Sequence, residues 1–494
     1  MGIIIRQGIQ TSIIAYAGVA IGAFNVLWLF PKFLDADQIG LITAIQNIAM
    51  LFAALARLGT PRITEKFFPV FRNHEAGHQG FLSLLMAYGA LGFSLFCLIF
   101  LLFRDFWLSI YEENAEALNQ YYYHVIPLVL FLIFQGILEA YMRVHLKTVT
   151  TSFYREVVLK VLLAGVVLLY FAGWISFSQL VTGIVVIYGL LDLLLFQYIF
   201  QSKVMFLKIQ QQFLKKSLLQ EMVQYSLFIV LSGLGSMIVS KIDTLMIPYL
   251  LGLKETGIYA IAFYMGTVIE KPRHAIAQIT TPILSQELAD ENHAKVQELY
   301  RKSAINQLIV GGLLFLGVWG NIDAIFRIIP HAETYEAGKY VVLFIGLARL
   351  IEMGAGVSAE IIVQSKYYKF NFIGVVSLSV LLVITNLIFI PIYGITGAAL
   401  ATMLSVLLGK IINFIFIWNK FRVQPFDIRT LALVGILLLT YFLSTLLPSL
   451  SSVWLDIFLR SALITVVFLG LTYVLRISEE FNGLVVTVLR KILT

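Results

Sequence analysis

Residues 225–288 run YSLFIVLSGLGSMIVSKIDTLMIPYLLGLKETGIYAIAFYMGTVIEKPRHAIAQITTPILSQEL, and this stretch decides the fold. Two apolar runs flank the turn Leu253–Gly257, a pattern that predicts two membrane-spanning helices joined by a short turn. The charged residues within the runs are Lys241, Asp243, Glu270, Lys271 and Arg273. An ionisable side chain near the bilayer centre costs on the order of 2.5–3.5 kcal/mol. So many charges predict a protein-lined or water-filled cavity; mutually neutralised structural ion pairs are the alternative.

Composition supports a membrane location for the whole chain. Of its 494 residues, 60% are hydrophobic and 13% charged, and the mean hydropathy is +0.89. Soluble domains average about 45–50% apolar and about 25% charged residues, so we expect an integral membrane protein. The single cysteine, Cys97, excludes an internal disulfide and a cysteine metal cage. The net charge of +7 is attributed to basic loops facing the cytoplasm, and no nucleic-acid partner is expected.

Apolar runs of spanning length recur along the chain and predict an all-α, polytopic fold with about 14 transmembrane helices. The first run is of full spanning length and lacks a following cleavage pattern, so no cleaved signal peptide is expected. The predicted spans are 9–30, 39–57, 81–103, 121–142, 154–173, 177–200, 224–251, 257–284, 304–329, 338–364, 370–390, 394–418, 430–447 and 455–475.

The distribution of lysine and arginine predicts the orientation. If the N-terminus is cytoplasmic, most of the 35 basic residues lie on the cytoplasmic side. Those on the other side are Lys32, Arg104, Lys254, Arg327 and Lys339. Those within spans are Lys241, Lys271, Arg273, Arg349, Lys410 and Arg460. By the positive-inside rule, both termini are predicted to be cytoplasmic.

An internal repeat predicts the domain organisation. Residues 31–34, followed by Gly40, align at an offset of 217 with residues 248–251, followed by Gly257. The expected domains are an N-terminal six-helix bundle (1–200), an amphipathic linker on the cytoplasmic surface (201–223), a C-terminal six-helix bundle (224–420), and two further spans with a short tail (421–494). Six spans per repeat place the two bundles in parallel, an arrangement known from some secondary transporters.

The spans of the second bundle carry most of the buried charges. Arg349 and Glu352 are three residues apart and can pair on one helix face, while Lys410 has no acidic neighbour in its own helix. In the first bundle, the acidic residues assigned to spans are Glu139 and Asp192. Lysine and arginine bind phosphate strongly, so the cations of the second bundle suit an anionic headgroup. The prolines at 272 and 282 are expected to kink their span.

Residues 74–78, HEAGH, match the pattern of zinc proteases. That chemistry requires a helix that places both imidazoles on one face, and a third ligand. Here the motif lies in a short loop, contains a glycine and has no evident third ligand. We therefore expect a chance match and no metal site.

Residues 243–252 (DTLMIPYLLG) and 269–282 (IEKPRHAIAQITTP) resemble the second half of polysaccharide flippases, and residues 30–41 are similar to the first-half counterpart. These flippases belong to the exporter superfamily that also includes multidrug exporters and lipid II flippases. The resemblance implies an alternating-access carrier in a bacterial inner membrane. Its cargo would be a polyprenyl-diphosphate-linked oligosaccharide for surface polysaccharide such as O-antigen or capsule, and it would not be an enzyme.

Under this hypothesis, the diphosphate is held by Arg349, Lys271, Arg273, Lys241 and Lys410. The acidic residues Asp243, Glu270 and Glu352 pair with these cations or carry a coupling ion, H⁺ or Na⁺. No other cofactor is expected, and the partners are the lipid-linked substrate, membrane lipids and glycan-assembly proteins. The alternatives are a cation-coupled multidrug exporter of the same fold, which would need an acidic cavity, and a membrane oligosaccharide polymerase or ligase, which would need a long outer loop.

Overall fold

The structure is a computed structural model, and it describes residues 2–73, 77–109, 115–207 and 216–493. These residues form helices and connecting turns, with no strand among them. The chain divides into two compact units, Met1–Gly257 and Ile258–Thr494. The predicted linker 201–223 falls partly outside the described residues, and from Lys216 onward it belongs to a long helix.

The N-terminal unit contains twelve complete α-helices within the described residues. They are α1 (Gly2–Phe24), α2 (Phe30–Phe33), α3 (Ala36–Ala56), α4 (Thr60–Phe71), α5 (Phe81–Leu102), α6 (Arg104–Ser109), α7 (Ala115–Tyr121), α8 (Val125–Val144), α9 (Thr148–Phe153), α10 (Leu159–Phe171), α11 (Phe177–Gln201) and α12 (Lys216–Leu250). Helix α13 (Leu253–Thr267) contains the boundary between the units.

The helices that follow belong to the C-terminal unit. They are α14 (Lys271–Ala289), α15 (His293–Trp319), α16 (Ile322–Ile328), α17 (Ala332–Tyr335), α18 (Lys339–Gly354), α19 (Ser358–Gln364), α20 (Tyr368–Phe421), α21 (Ile428–Thr445), α22 (Val453–Val474) and α23 (Glu479–Leu493). Helix α23 occupies the C-terminal segment for which the sequence predicted only a short tail.

Nine helical segments in the described ranges are long and apolar enough to cross a membrane, or ten if the bent pair formed by 332–354 and 358–364 is one span. The polytopic all-α fold is thereby confirmed. Helix α20 covers two of the predicted spans, 370–390 and 394–418. Its backbone leaves the helical conformation at Gly394, with a φ of 59° and a ψ of −142°, so the break lies where the second predicted span begins. Glycine adopts this conformation without the steric penalty that a Cβ atom would impose.

Helix α8 lies at the centre of the N-terminal unit, where it packs against α3, α4, α5 and α11. Its residues Ile133, Ile137 and Tyr141 are fully buried. In the C-terminal unit, α15 packs against both α21 and α22, with Leu316 and Phe468 completely enclosed. The last two spans therefore share a core with the rest of this unit.

The glycines of the internal repeat meet at one helix crossing within the N-terminal unit. A methyl group on Gly40 would lie 1.8 Å from the carbonyl oxygen of Leu253, and one on Gly257 would lie 2.0 Å from that of Ala36. Each repeat copy thus supplies the glycine that the other copy's backbone requires. The two positions leave space for a close backbone approach, as small residues do at helix crossings in membranes.

Asp456 joins three helices of the C-terminal unit. Its side chain is 5% exposed, and its two oxygens accept hydrogen bonds from Arg327, at 2.7 Å, and Arg460, at 3.1 Å. Arg460 also donates to the carbonyl of Ser444 at the end of α21. The carboxylate therefore holds α16 and α22 together and orients an arginine that secures α21.

We expect Asp456→Ala to lower the free energy of unfolding by about 3 kcal/mol, because it leaves the largely buried Arg460 without its carboxylate. Asp323→Ala is the matched control: its carboxylate is 73% exposed and pairs with Lys339, so its loss should change stability by about 1 kcal/mol at most. Thermal unfolding of both variants in the same detergent measures the difference. Equal shifts would contradict the assignment.

Candidate functional site

A network of buried charges is centred on Arg349, in the middle of α18. One guanidinium nitrogen of Arg349 lies 2.9 Å from Glu352 and 3.1 Å from Glu270. Glu352 in turn lies 3.9 Å from the ammonium group of Lys410, on α20. All four side chains are 15–19% exposed. The i,i+3 pair expected from the sequence is present, and Lys410 finds its acidic neighbour on another helix.

A second ion pair belongs to the same unit. Arg273, on α14, lies 3.2 Å from Glu360, on α19, and both side chains are less than one-fifth exposed. Helices α14 and α19 pack directly against each other. We call the six residues Arg273, Arg349, Lys410, Glu270, Glu352 and Glu360 the C-terminal charge network.

Local sequence accounts for the position of Glu270. The turn Val268–Glu270 is a 3₁₀ segment, and Glu270 occupies the N-cap of α14. Pro272 lies in the first turn of α14, where its missing N–H group would have no helical partner in any case. Pro272 therefore marks the start of α14 and not a kink within a span. This helix start places Glu270 next to Arg349 on α18.

The C-terminal charge network contains three cations and three carboxylates, so its side chains balance when all are ionised. Unused donors remain nevertheless: the Nε atoms of Arg273 and Arg349 are buried and have no hydrogen-bond partner among the described residues. A buried guanidinium N–H without an acceptor is unfavourable. These two donors are the groups best suited to an anionic ligand.

The remaining predicted site residues lie elsewhere. Lys271 is exposed at the start of α14 and lies outside the C-terminal charge network. Lys241 and Asp243 belong to α12 in the N-terminal unit, where Lys241 donates a 3.2 Å hydrogen bond to Asn47 and Asp243 is 5% exposed. Of the five predicted cations, three belong to the C-terminal charge network: Arg273, Arg349 and Lys410.

The N-terminal unit contains a further set of interacting charges, in which the acids Glu139 and Asp192 were singled out from the sequence and their partners were not. Arg155 bridges Glu139, at 2.9 Å, and Glu156, at 3.2 Å, and Lys160 lies 3.3 Å from Glu156. Arg57, directly after α3, interacts electrostatically with Glu139 and with Asp192 on α11. The signal available in the sequence is the run of charged residues inside the first turns of the predicted span 154–173. A π-helical turn, Tyr154–Val158, carries two of them.

The zinc-protease pattern falls largely outside the described residues, which omit His74, Glu75 and Ala76. His78 is described, with a φ of 45°, and it follows Gly77, with a φ of 58°. The His78 ring packs against aromatic rings of α4 and of the turn after α8. Within the described residues no group of three or more His, Cys, Asp or Glu side chains is arranged to hold a metal ion. The backbone at 77–78 is not the α-helix that the protease chemistry needs.

Solved structures with a similar fold include the lipid II flippase MurJ in an inward closed conformation. It has a TM-score of 0.74 and 13% sequence identity, and the match covers 94% of this chain and 98% of MurJ. An inward-facing MATE family multidrug resistance transporter of the MOP superfamily matches with a TM-score of 0.62 and 13% identity, over 83% of this chain and 98% of that chain. At such identities the likeness establishes the fold alone.

Two curated relatives come from Haloferax volcanii. The probable flippase AglR is 26% identical over 186 residues, which are 37% of this chain and 38% of AglR. The probable low-salt glycan biosynthesis flippase Agl15 is 23% identical over 199 residues, 39% of this chain and 41% of Agl15. The matches thus span less than half the length of either relative.

A family model for polysaccharide biosynthesis proteins matches residues 5–287, more than half of the chain and including both copies of the internal repeat. This match confirms the resemblance seen in residues 30–41 and 243–282. The chain therefore belongs to the polysaccharide biosynthesis protein family.

Proposed function

We propose that this protein is a flippase that carries a polyprenyl-diphosphate-linked oligosaccharide across a bacterial inner membrane by alternating access. The product would serve surface polysaccharide such as O-antigen or capsule, and the protein would be a transporter, not an enzyme. Family membership and the flippase names of the two curated relatives support this class of cargo. The observation that carries the proposal is the C-terminal charge network with its two unused arginine donors.

The chemistry follows from the cost of moving charge through hydrocarbon. A bare diphosphate in the bilayer core would lose its hydration without compensation. Arg349 and Arg273 can offer their unused Nε–H groups. The ammonium group of Lys410 lies 3.9 Å from Glu352, too far for a hydrogen bond, so its donors are also available. Charge-assisted hydrogen bonds from guanidinium groups to phosphate are among the strongest available. We assign these three cations to the diphosphate, with Lys271 and Lys241 as further contacts along the path.

The carboxylates have a complementary role in this proposal. With no cargo bound, Glu270, Glu352 and Glu360 neutralise the cations and offset the cost of burying them. A diphosphate competes for the same donors, so binding loosens the ion pairs between α14, α18, α19 and α20. Release of cargo restores them. Glu270, Glu352 and Asp243 are also candidate sites for a coupling ion, H⁺ or Na⁺.

Reconstitution tests the proposal. The purified protein in liposomes is expected to move a fluorescent polyprenyl-diphosphate oligosaccharide between leaflets at a rate well above that of protein-free liposomes. A membrane-impermeant quencher measures the fraction that has crossed. Ethidium in the same liposomes tests the multidrug-exporter alternative. Transport of ethidium without transport of the lipid would overturn the cargo assignment.

In cells, deletion of the gene is expected to cause lipid-linked oligosaccharide to accumulate in the inner leaflet, with loss of the corresponding surface glycan. An oligosaccharide polymerase or ligase would give a different result: single units would still reach the outer leaflet without being joined. Accessibility of the lipid-linked sugar to an external glycosidase distinguishes the two outcomes.

A further inference from the structure

Asp192 carries a buried carboxyl group in the middle of α11. The residue is 5% exposed, and neither of its oxygens has a hydrogen-bond partner among the described residues. An ionised carboxylate in such surroundings is strongly disfavoured, because burial removes its hydration and no donor replaces it. This group has no part in the C-terminal charge network.

Two charged side chains interact electrostatically with Asp192, and each is itself incompletely satisfied. Glu139, on α8, has one buried oxygen without a hydrogen-bond partner among the described residues, and its other oxygen pairs with Arg155. Arg57 has a buried Nε in the same condition. The two residues act on the Asp192 carboxyl with opposite signs. With Arg155, these side chains form a set of two acidic groups and two cations.

The other titratable groups on elements packed against α11 are engaged elsewhere. Helices α8 and α10 and the 3₁₀ turn Tyr122–His124 contact α11. Besides the tyrosines Tyr122, Tyr123, Tyr141 and Tyr170, the groups they contribute are Arg143, which pairs with Glu65; Lys160, which pairs with Glu156; and His124, which shares a 3.0 Å hydrogen bond with Thr182. Glu139 is paired as well, with Arg155, so in the described part of these elements Asp192 is the carboxyl whose two oxygens both lack a hydrogen-bond partner.

A groove between α8 and α11 is lined in part by Asp192. It forms an open cavity of about 750 Å³ lined by Asp192, His124 and Thr182 among apolar and aromatic side chains. The rim residues Val186 and Leu193 are 61% and 66% exposed, so the groove opens on the outer surface of the unit. Apolar and aromatic side chains form most of its lining, and both carboxyl oxygens of Asp192 are buried beneath it.

The ligand set favours a proton over a metal ion. Sodium and divalent cations require several oxygen ligands, whereas Asp192 has one neighbouring carboxylate and an arginine whose charge repels cations. A proton needs only one carboxylate oxygen, and it removes the charge that burial disfavours.

We propose that Asp192 is a reversible proton-binding site in the N-terminal unit, with Arg57 as its counter-ion and Glu139 as a neighbouring negative charge. In the enclosed state Asp192 holds the proton and is neutral. When water or the Arg57 guanidinium reaches the carboxyl, the proton leaves and the carboxylate pairs with Arg57. Proton binding itself does not depend on the cargo; a role in driving transport rests on the proposed function.

Carbodiimide labelling tests proton binding on the unaltered protein. Dicyclohexylcarbodiimide reacts with protonated carboxyls in apolar surroundings and leaves a stable adduct that mass spectrometry locates. We expect labelling at Asp192 that falls as the buffer is made alkaline. Asp105, whose side chain is 98% exposed, is the internal control and should stay unlabelled. Absence of labelling at Asp192 in acidic buffer, or labelling independent of pH, would overturn the proposal.

Infrared difference spectroscopy provides a second measurement. Changing the pH over the purified protein should produce a carboxylic C=O band that Asp192→Asn eliminates and Asp105→Asn retains. Glu139→Gln should shift the pH midpoint of this band, because it removes the neighbouring negative charge. Asparagine mimics the neutral carboxyl in size, so the variant preserves the enclosed state. A band that persists unchanged in Asp192→Asn would contradict the assignment.

The transport role is tested separately with the fluorescent lipid in liposomes. In the wild-type protein a pH gradient should accelerate lipid transport, and in Asp192→Asn that acceleration should disappear. If lipid moves at the same rate with and without a gradient in both proteins, the coupling role fails while the proposed function stands. If the wild-type protein moves no lipid, the proposed function fails, and the labelling result still decides whether Asp192 binds a proton.

Discussion

Arg349→Gln is expected to reduce transport of the lipid-linked oligosaccharide by about 10- to 100-fold. A hydrogen bond to a charged group contributes about 1.5–3 kcal/mol, and about 1.4 kcal/mol corresponds to a factor of ten. Arg349 is the central cation of its network, because it contacts both Glu270 and Glu352. Its loss therefore removes a diphosphate donor and also leaves Glu270 without its salt-bridge arginine. The liposome assay with the fluorescent lipid measures the effect.

A double variant separates ligand binding from simple charge neutralisation. In Arg349→Gln/Glu270→Gln both members of one ion pair are neutral, and Glu352 retains Lys410 at 3.9 Å. We expect thermal stability to recover relative to the single variant, because the double variant removes the Glu270 carboxylate together with the guanidinium that pairs with it. Transport should stay low, because the diphosphate still lacks its donor. Recovery of transport to the wild-type rate would show that Arg349 acts only as a structural counter-ion.

Gly40→Val is expected to prevent most of the protein from folding. Even the first added carbon would lie 1.8 Å from the carbonyl oxygen of Leu253, a distance that only movement of the backbone can relieve. Inserting extra carbons into a packed interior destabilises by about 1–3 kcal/mol when side chains can adjust, and here the obstacle is main chain. We expect little monodisperse protein by fluorescence-detected size-exclusion chromatography. Gly257→Val should behave in the same way.

Gly165→Val is the matched control for this prediction. Gly165 lies within α10, and a Cβ atom there meets no described atom outside its own helix within 4 Å. The substitution should give a normal elution profile, because valine replaces glycine at an open helical site. If Gly40→Val and Gly165→Val elute alike, the close approach of the repeat copies is not a requirement of the fold.

Some features of this protein could be predicted from local sequence with good precision. The Arg349–Glu352 pair follows from helical periodicity alone, because residues three apart share a face. The break in α20 is expected from the sequence as the boundary between two spans, and the structure places it at Gly394, where φ is positive. The glycines of the repeat emerge from alignment. The reason that glycine is required at both positions, a crossing where the two backbones touch, is visible only in the folded chain.

Long-range partners are beyond the reach of such reasoning. Arg273 and Glu360 are 87 residues apart in the chain and 3.2 Å apart in space, and no pattern in the sequence relates them. Lys241 resembles the cations of the second bundle because it lies deep in an apolar run, yet it donates to Asn47. Asp192 looks like an isolated acid in the sequence, and only the packing of α8 and α11 reveals its unsatisfied oxygens and the groove beside them.

The length of the apolar runs and the scarcity of charge were sufficient to establish a polytopic helical membrane protein. In hydrocarbon every backbone polar group must be satisfied within its own helix, so span formation depends on consecutive residues. Which buried charges neutralise one another, and which are left with unused donors, depended on the packing of helices distant in the chain. Electrostatic energy varies with distance in space and with burial, and neither quantity is encoded by position in the sequence alone.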